Sequence, residues 1–232
     1  MALRLTWTSY GRAAGVALAR AVAEAKEGDP LAPVTVVVPS NHVGVGARRL
    51  LASGALGAVS EVGSGVAAVS FLTIYRLAEL LGARSLAGRA LRPVSTPVIA
   101  AALRRSLEEN PGAFAPVADH PATEGALVAA YREMRDLSPG ALSTLAAQSK
   151  RAADVVRLHQ RARAILKTSF YDEQDLILSA IEALAGGLHA EPVVVHLPQR
   201  LSRHGGMLVA ALAEHSAVHV VAGTTGRPRA DK

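Results

Sequence analysis

Two short runs constrain this chain more than any other feature. Pro33 to Pro39 reads PVTVVVP and Pro192 to Pro198 reads PVVVHLP, each a near-continuous β-branched stretch closed at both ends by proline. A strand with one wet face alternates apolar and polar residues. An unbroken apolar strand is buried on both faces, and that is the mark of a parallel sheet covered by helices on each side. The two runs therefore predict an α/β architecture with its sheet in the interior.

The N-terminal stretch Leu3 to Ala25, LRLTWTSYGRAAGVALARAVAEA, predicts a strand, a Gly-bearing turn and an amphipathic helix. Leu3, Leu5 and Trp7 alternate with Arg4, Thr6 and Thr8 at strand period, and Gly11 and Gly15 bracket the turn. A P-loop occupies such a position in nucleotide-binding α/β proteins, with the pattern G-x-x-x-x-G-K-S/T. With Gly15 on the second Gly, Tyr10 stands for the first Gly, Val16 for the Lys and Ala17 for the Ser/Thr. The scaffold of a phosphate site is there and its chemistry is not.

Beyond PVTVVVP, Ser40-Asn41 is a helix-cap candidate and Val43 to Ala52 a helix. Ser53 to Gly65 is Gly/Ser-rich and reads as a loop. Val66 to Ile74 is a third strand and Tyr75 to Leu81 its helix. From Gly82 to about Ala190 the sequence offers no strand. Val98 to Glu109, Ala122 to Asp136, Pro139 to Ala147, Ala152 to Leu166 and Asp172 to Ala185 all read as helices, with Thr96-Pro97 and Ser138-Pro139 as start signals. PVVVHLP, a helix over Leu201 to Glu214 and a strand over Val218 to Ala222 complete the pattern. The expectation is one parallel sheet of about five strands carrying an all-helical insertion. Its segments are 1–82, the first part of the core, 83–170, the insertion, and 171–232, the second part of the core. The strand in the P-loop position is expected at the centre of the sheet.

Composition narrows the chemistry. The chain of 232 residues has no Cys, which excludes disulfides, thiolate metal sites and Cys nucleophiles. Half the residues are hydrophobic and only 3% aromatic, which favours helices packed on a buried sheet. No apolar run reaches the roughly 20 residues of a membrane span, and MALRLTWTSYGR lacks the apolar core of a signal peptide. A net charge of +6 permits an anionic partner such as DNA.

The layout and several short motifs resemble the first RecA-like domain of superfamily 1 helicases. They are most similar to the inactivated helicase-like N-terminal region of AddB-type subunits of bacterial helicase–nuclease complexes, and to actinobacterial RecB-like proteins of the PD-(D/E)XK nuclease family. VVVPSN (Val36 to Asn41) falls on motif Ia, and FLTIYRLAELL (Phe71 to Leu81) on motif Ib, with Thr73 retained, Tyr75-Arg76 replacing its polar pair, and Arg76-Leu77 fitting the Ser-Phe-x-Arg-Leu run of the AddB-like form. VVVHLPQ (Val193 to Gln199) falls on the Walker B strand, where His196 and Leu197 replace both acids and only Gln199 survives. VVAGTTG (Val220 to Gly226) resembles motif III.

The resemblance implies a RecA-like P-loop-type core with a helical lobe, domain 1A plus a 1B-like insertion. It also implies a degenerate nucleotide site at Tyr10, Gly11, Gly15, Val16, Ala17, His196, Leu197 and Gln199, holding no cofactor. Two halves of one site, the phosphate loop and the Mg²⁺ acids, are lost together. Single-stranded or duplex-end DNA is the implied partner, contacted by Ser40, Asn41, Thr73 and Arg76 at the carboxyl ends of strands. Further implied are missing C-terminal helicase-like and nuclease domains, an AddA-type helicase subunit as partner, a cytoplasmic location and no membrane. The chain would be a fragment or stand-alone remnant of a longer protein, itself non-catalytic. Two other readings stay open: an active but diverged helicase or ATPase, and a small-molecule α/β enzyme.

Other motifs are weaker. Gly44-Val-Gly46 resembles the start of a dinucleotide fingerprint, but Arg49 stands at its third Gly. Asp172, Glu173 and Asp175 read as a helix first turn, where acids are favoured, more than as a metal site. The eight His are scattered, and no H-E-x-x-H occurs. Ser40, Ser70 and Ser202 lack the G-x-S-x-G elbow of a hydrolase. Arg104, Arg105, Arg132, Arg135, Lys150, Arg151, Arg157, Arg161 and Arg163 dot the insertion, and a basic face there could track a phosphate backbone.

Overall fold

The computed structural model describes residues 3–56, 66–227 and 229. The chain runs β1 (Leu3–Ser9), α1 (Arg12–Ala25), β2 (Val34–Val37), α2 (Asn41–Ala52), β3 (Val69–Leu72), α3 (Ile74–Gly88), β4 (Arg92–Pro93) and α4 (Thr96–Glu109). A 3-10 turn (Gly112–Val117) follows, then α5 (Pro121–Met134), α6 (Pro139–Ala146), α7 (Lys150–Leu166), β5 (Phe170–Tyr171), α8 (Glu173–Ala185), β6 (Val193–His196), α9 (Arg203–His215) and β7 (Val218–Thr224). It forms two compact units, Met1–Ala83 with Ile177–Lys232, and Arg84–Leu176. The expected boundaries lay at 82/83 and 170/171. Of the Gly/Ser-rich loop expected over Ser53 to Gly65, residues 57–65 lie outside the described residues, as do 228 and 230–232 of the tail.

The first unit is an α/β layer structure around five parallel strands in the order β1-β7-β6-β2-β3. One row across the sheet is Leu5, Val220, Val195, Val37 and Leu72. Side chains of successive residues leave opposite faces. Val34, Val36, Val38, Val194 and Val221 pack against Leu18, Ala19, Ala21 and Val22 of α1 and Ala47 and Leu51 of α2. The alternate residues face the other way, the side of α9, which contacts β7 and is buried through Leu208, Val209 and Leu212. All four residues of β2 and all four of β6 are buried, because helices cover both faces at the middle of the sheet. Each fully buried Val or Leu contributes roughly 1.5–3 kcal/mol.

Two expectations are corrected here. The first strand is not central. β1 pairs with β7 along its whole length, Leu3 opposite Val218 to Ser9 opposite Thr224, and among the described residues with no other strand. The reason is visible in its composition. A central strand of this sheet needs apolar residues on both faces, whereas β1 alternates apolar with Arg4, Thr6 and Thr8. Leu3, Leu5 and Trp7 are accordingly 54%, 51% and 63% exposed.

The second correction concerns the helical unit, which does contain strand. β4 and β5 pair in parallel, with Arg92 N–H donating to Ser169 O at 3.0 Å and Val94 N–H to Tyr171 O at 2.8 Å. Two residues each, one of them a proline, are too few to show a period. Around them α4, α5 and α7 pack through Ile99, Leu103, Leu107, Leu127, Val128, Leu158, Ala162 and Leu166. Ser138 Oγ and Ser149 Oγ cap α6 and α7, accepting from Ala141 N–H and Ala152 N–H at 3.1 Å. α4 starts instead at Ser95, whose side chain makes no capping bond.

Candidate functional site

In an all-parallel sheet every strand ends on the same edge, and the helices that follow begin there. β6 connects onward to β7 on one side, and its neighbour β2 to β3 on the other. The crevice outside the carboxyl ends at such a reversal is where open α/β sheets bind ligands. The sequence-derived site residues lie along this edge.

The turn after β1 is only Tyr10-Gly11. Gly11 adopts φ +85°, a conformation glycine takes without steric cost, and is the N-cap of α1 with no side-chain cap bond. α1 is already under way at Arg12, and Gly15 N–H donates to Gly11 O at 3.2 Å. Gly15 therefore sits inside the helix rather than in a loop. A Cβ on it would lie 2.9 Å from Leu56 Cδ1 and 3.3 Å from Leu50 Cδ2, so its smallness serves packing. Val16 is 38% exposed, and Ala17 packs on the α1–α2 core. A two-residue turn has no span of backbone with which to encircle a phosphate.

Three of the edge residues meet. The Tyr10 ring lies over Gly223, where a Cβ would stand 2.6 Å from Tyr10 Cζ and 3.0 Å from Leu197 Cδ2. The ends of β1, β6 and β7 are thus closed over one another by an aromatic ring and a leucine. Leu197 has φ +48°, uncommon for a non-glycine residue, and its N–H donates to Val221 O at 2.8 Å. His196, the last residue of β6, is buried and its Nδ1 has no hydrogen-bond partner. Burial pushes its imidazole down to about 4, so it is neutral at pH 7. Gln199 is exposed.

Three of the four candidate DNA contacts already have local partners. Ser40 Oγ accepts from Val43 N–H at 3.4 Å as the N-cap of α2. Thr73 Oγ1 accepts from Arg76 N–H at 3.3 Å at the start of α3. Arg76 is exposed and its guanidinium pairs with Glu79 one turn on. Asn41 is exposed on the first turn of α2. The loops after β2 and β3 are neighbours, because Val37 pairs with Leu72. Sequence reasoning missed Glu79 as the ion partner of Arg76, although an acid three residues on in a helix is a standing signal. It also missed Gly223 as the seat of Tyr10.

The second unit holds the most strongly coupled charges. Arg135, 4% exposed, donates from Nη2 to Asp172 Oδ1 and Asp175 Oδ1, both at 2.8 Å, and from Nε to Asp172 Oδ2. Asp172 Oδ1 accepts from Gln174 and Asp175 N–H at 3.1 and 3.0 Å, and Asp175 Oδ2 accepts from Asp172 N–H at 3.1 Å. This is a reciprocal cap on the first turn of α8, the role expected for the cluster. Burial would raise Asp172, but Arg135 outweighs it and holds the carboxyl below its ordinary value. Burial and the neighbouring Asp172 push Asp175 up.

Burial, reinforced by Asp172, pushes the Tyr131 phenol up to about 12. Burial with Arg135 and Arg163 pushes His159 down to about 4. A shallow, open depression beside the cluster has Arg163, Lys167, Tyr131 and Tyr171 in its walls. Its two carboxylates are already engaged by Arg135. Among the described residues no group of three His, Asp or Glu could hold a metal ion, and no helix is long and apolar enough to cross a membrane.

No protein-family model matches this chain, and no curated protein sequence matches it significantly.

Proposed function

We propose that the chain is a helicase-like, ATPase-silent domain that binds DNA and serves as a scaffold within a helicase–nuclease acting in double-strand-break repair. The observation that carries the reading is that Tyr10 and Leu197 both come against Gly223. In the helicase resemblance, the phosphate loop follows β1, the Mg²⁺-holding acids end β6, and β7 carries motif III. Here those three strand ends are closed by uncharged side chains, and the βα turn spans two residues. Val16 stands where the phosphate-binding Lys would, and His196 and Leu197 where the Mg²⁺-holding acids would. In the same reading the core is RecA-like and the helical unit is the 1B-like lobe. The domain works in the cytoplasm with a nuclease domain and an AddA-type helicase subunit, guiding a single strand past the loops after β2 and β3.

Isothermal titration with ATP·Mg²⁺ tests the silent half of the proposal. No heat of binding is expected at millimolar nucleotide. A micromolar isotherm, or hydrolysis that a Gln199→Ala change abolishes, favours the active-helicase reading instead. Fluorescence anisotropy with a labelled single-stranded oligonucleotide tests the DNA half. The expected affinity is roughly 10⁻⁴–10⁻⁶ M, sequence-tolerant and steeply salt-dependent. No binding at low salt would remove DNA from the proposal.

A further inference from the structure

Trp7, Leu5 and Leu3 form an apolar stripe on the outermost strand of the sheet. They share a face with Val218, Val220 and Ala222 of β7, their register partners. The stripe is thus the lateral continuation of the apolar face that α9 covers over β7, carried onto β1, where Leu3, Leu5 and Trp7 are exposed. The opposite face of β1 is already settled. Arg4 pairs with Glu24 of α1 at 2.5 Å, and Thr6 Oγ1 meets His219 Nε2 at 2.8 Å.

The outer edge of β1 adds a second requirement. Among the described residues no strand pairs with it, so its outward main-chain groups form an open hydrogen-bonding row. Water satisfies such a row in a lone copy and a second extended backbone satisfies it in an assembly; edges of this kind are usually blunted by charged side chains, Pro or a bulge, and the one charge on β1, Arg4, is drawn to Glu24 on the α1 face. β1 runs seven residues without Pro or Lys. What fits is a strand that is itself apolar on alternate residues.

We propose that the occupant is a second copy of this chain, joined β1 to β1 in antiparallel pairing about a two-fold axis perpendicular to the sheet. Such an interface is isologous and closes after two copies. The axis keeps each face on its own side, so the two apolar stripes become one. Centred on Leu5, the pairing sets Leu3 opposite the partner's Trp7 and Leu5 opposite the partner's Leu5. Arg4 falls opposite the partner's Thr6, and its charge is already met by Glu24, so no like charges face each other across the seam. Two five-stranded sheets become one of ten strands.

Light scattering on the eluting full chain tests the mass, 24.0 kDa for one copy, across a dilution series. Trp7 is the only tryptophan, so its emission reports the interface directly. A dimer is expected, with the emission shifting from blue to red over the same concentrations at which the mass halves. Leu5→Lys and Leu3→Lys should each raise the dissociation constant at least about tenfold with unchanged far-UV circular dichroism. Leu80→Lys, at a residue 61% exposed on α3, should leave it unchanged. Because each copy carries +6 and the seam is apolar, added salt should not weaken association. A monomer at every concentration overturns the proposal, whether its Trp7 emission is red or blue. So does a dimer indifferent to both β1 substitutions.

Discussion

Lys26 shows how a single residue can hold a unit together without a counter-ion. It is 4% exposed, and its Nζ donates to Pro30 O, Ala32 O and Ala67 O at 2.8, 2.7 and 2.9 Å. All three ammonium hydrogens are used, and the loop after α1 is tied to the segment entering β3. Burial lowers its pKa, opposed by Asp29. Lys26→Met keeps the stem and strands three carbonyls, and should destabilise by about 2–4 kcal/mol in urea unfolding.

The buried histidines make stability depend on pH. His159 and His196 both titrate near 4 in the folded chain against an ordinary 6.5. Between those values the unfolded state binds more protons, so stability is full above pH 6.5 and falls as the pH drops toward 4. The loss should be on the order of 1–3 kcal/mol per histidine. His159→Gln and His196→Gln should each flatten the decline of the urea midpoint measured from pH 7 to pH 4.5.

At the scale of elements, Arg135 is the link between the end of α5 and the first turn of α8. Removing one partner of a buried ion pair costs roughly 3–5 kcal/mol, because the remaining charge is left desolvated. Arg135→Leu should cost about that much. Adding Asp172→Asn and Asp175→Asn should restore a large part of it, and calorimetry of the single and triple variants would show this. None of the pairing was legible in the sequence, where Arg135 stood among nine scattered cations and Asp172 lies 37 residues away. The cap itself was legible, because it uses neighbours only.

The same distinction runs through the fold. The buried strands β2 and β6, and most helix limits to within about two residues, follow from local period and start signals. Strand order does not follow from local pattern, and β1 was expected at the centre because it stands in the P-loop position. Its alternation did carry the signal of an edge, through the polar residues at Arg4, Thr6 and Thr8. The contact of Tyr10 with Gly223 joins the ends of β1 and β7, and no local pattern could show it.

At the scale of the whole molecule, a net charge of +6 favours any polyanion, so the question is which cations face it. Many in the helical unit are already engaged: Arg104 with Glu124 at 2.9 Å, Arg157 with Asp154 at 3.0 Å, and Arg161 with both Glu109 oxygens at 2.6 and 2.8 Å. Arg76 is in the same position through Glu79. If the strand passes the β3 loop, Glu79→Gln should tighten binding of the labelled oligonucleotide and steepen its salt slope. Arg76→Ala should weaken binding and reduce the slope by about one phosphate, and Arg84→Ala should do less. Equal anisotropy curves for Glu79→Gln and the parent chain would remove Arg76 from the strand's path.

β1 and β7 are partners along seven residues, from Leu3 with Val218 to Ser9 with Thr224. β1 therefore finds its neighbour only after every element from α1 to α9 has been made. Loop closure of that length is slow. During synthesis the apolar stripe of β1 has no sheet to join, while β2 and β3, separated by a single helix, can pair early. Until β7 is made, Leu3, Leu5 and Trp7 stay without their strand partner, and unpaired apolar strands of this kind are prone to aggregation and are bound by chaperones.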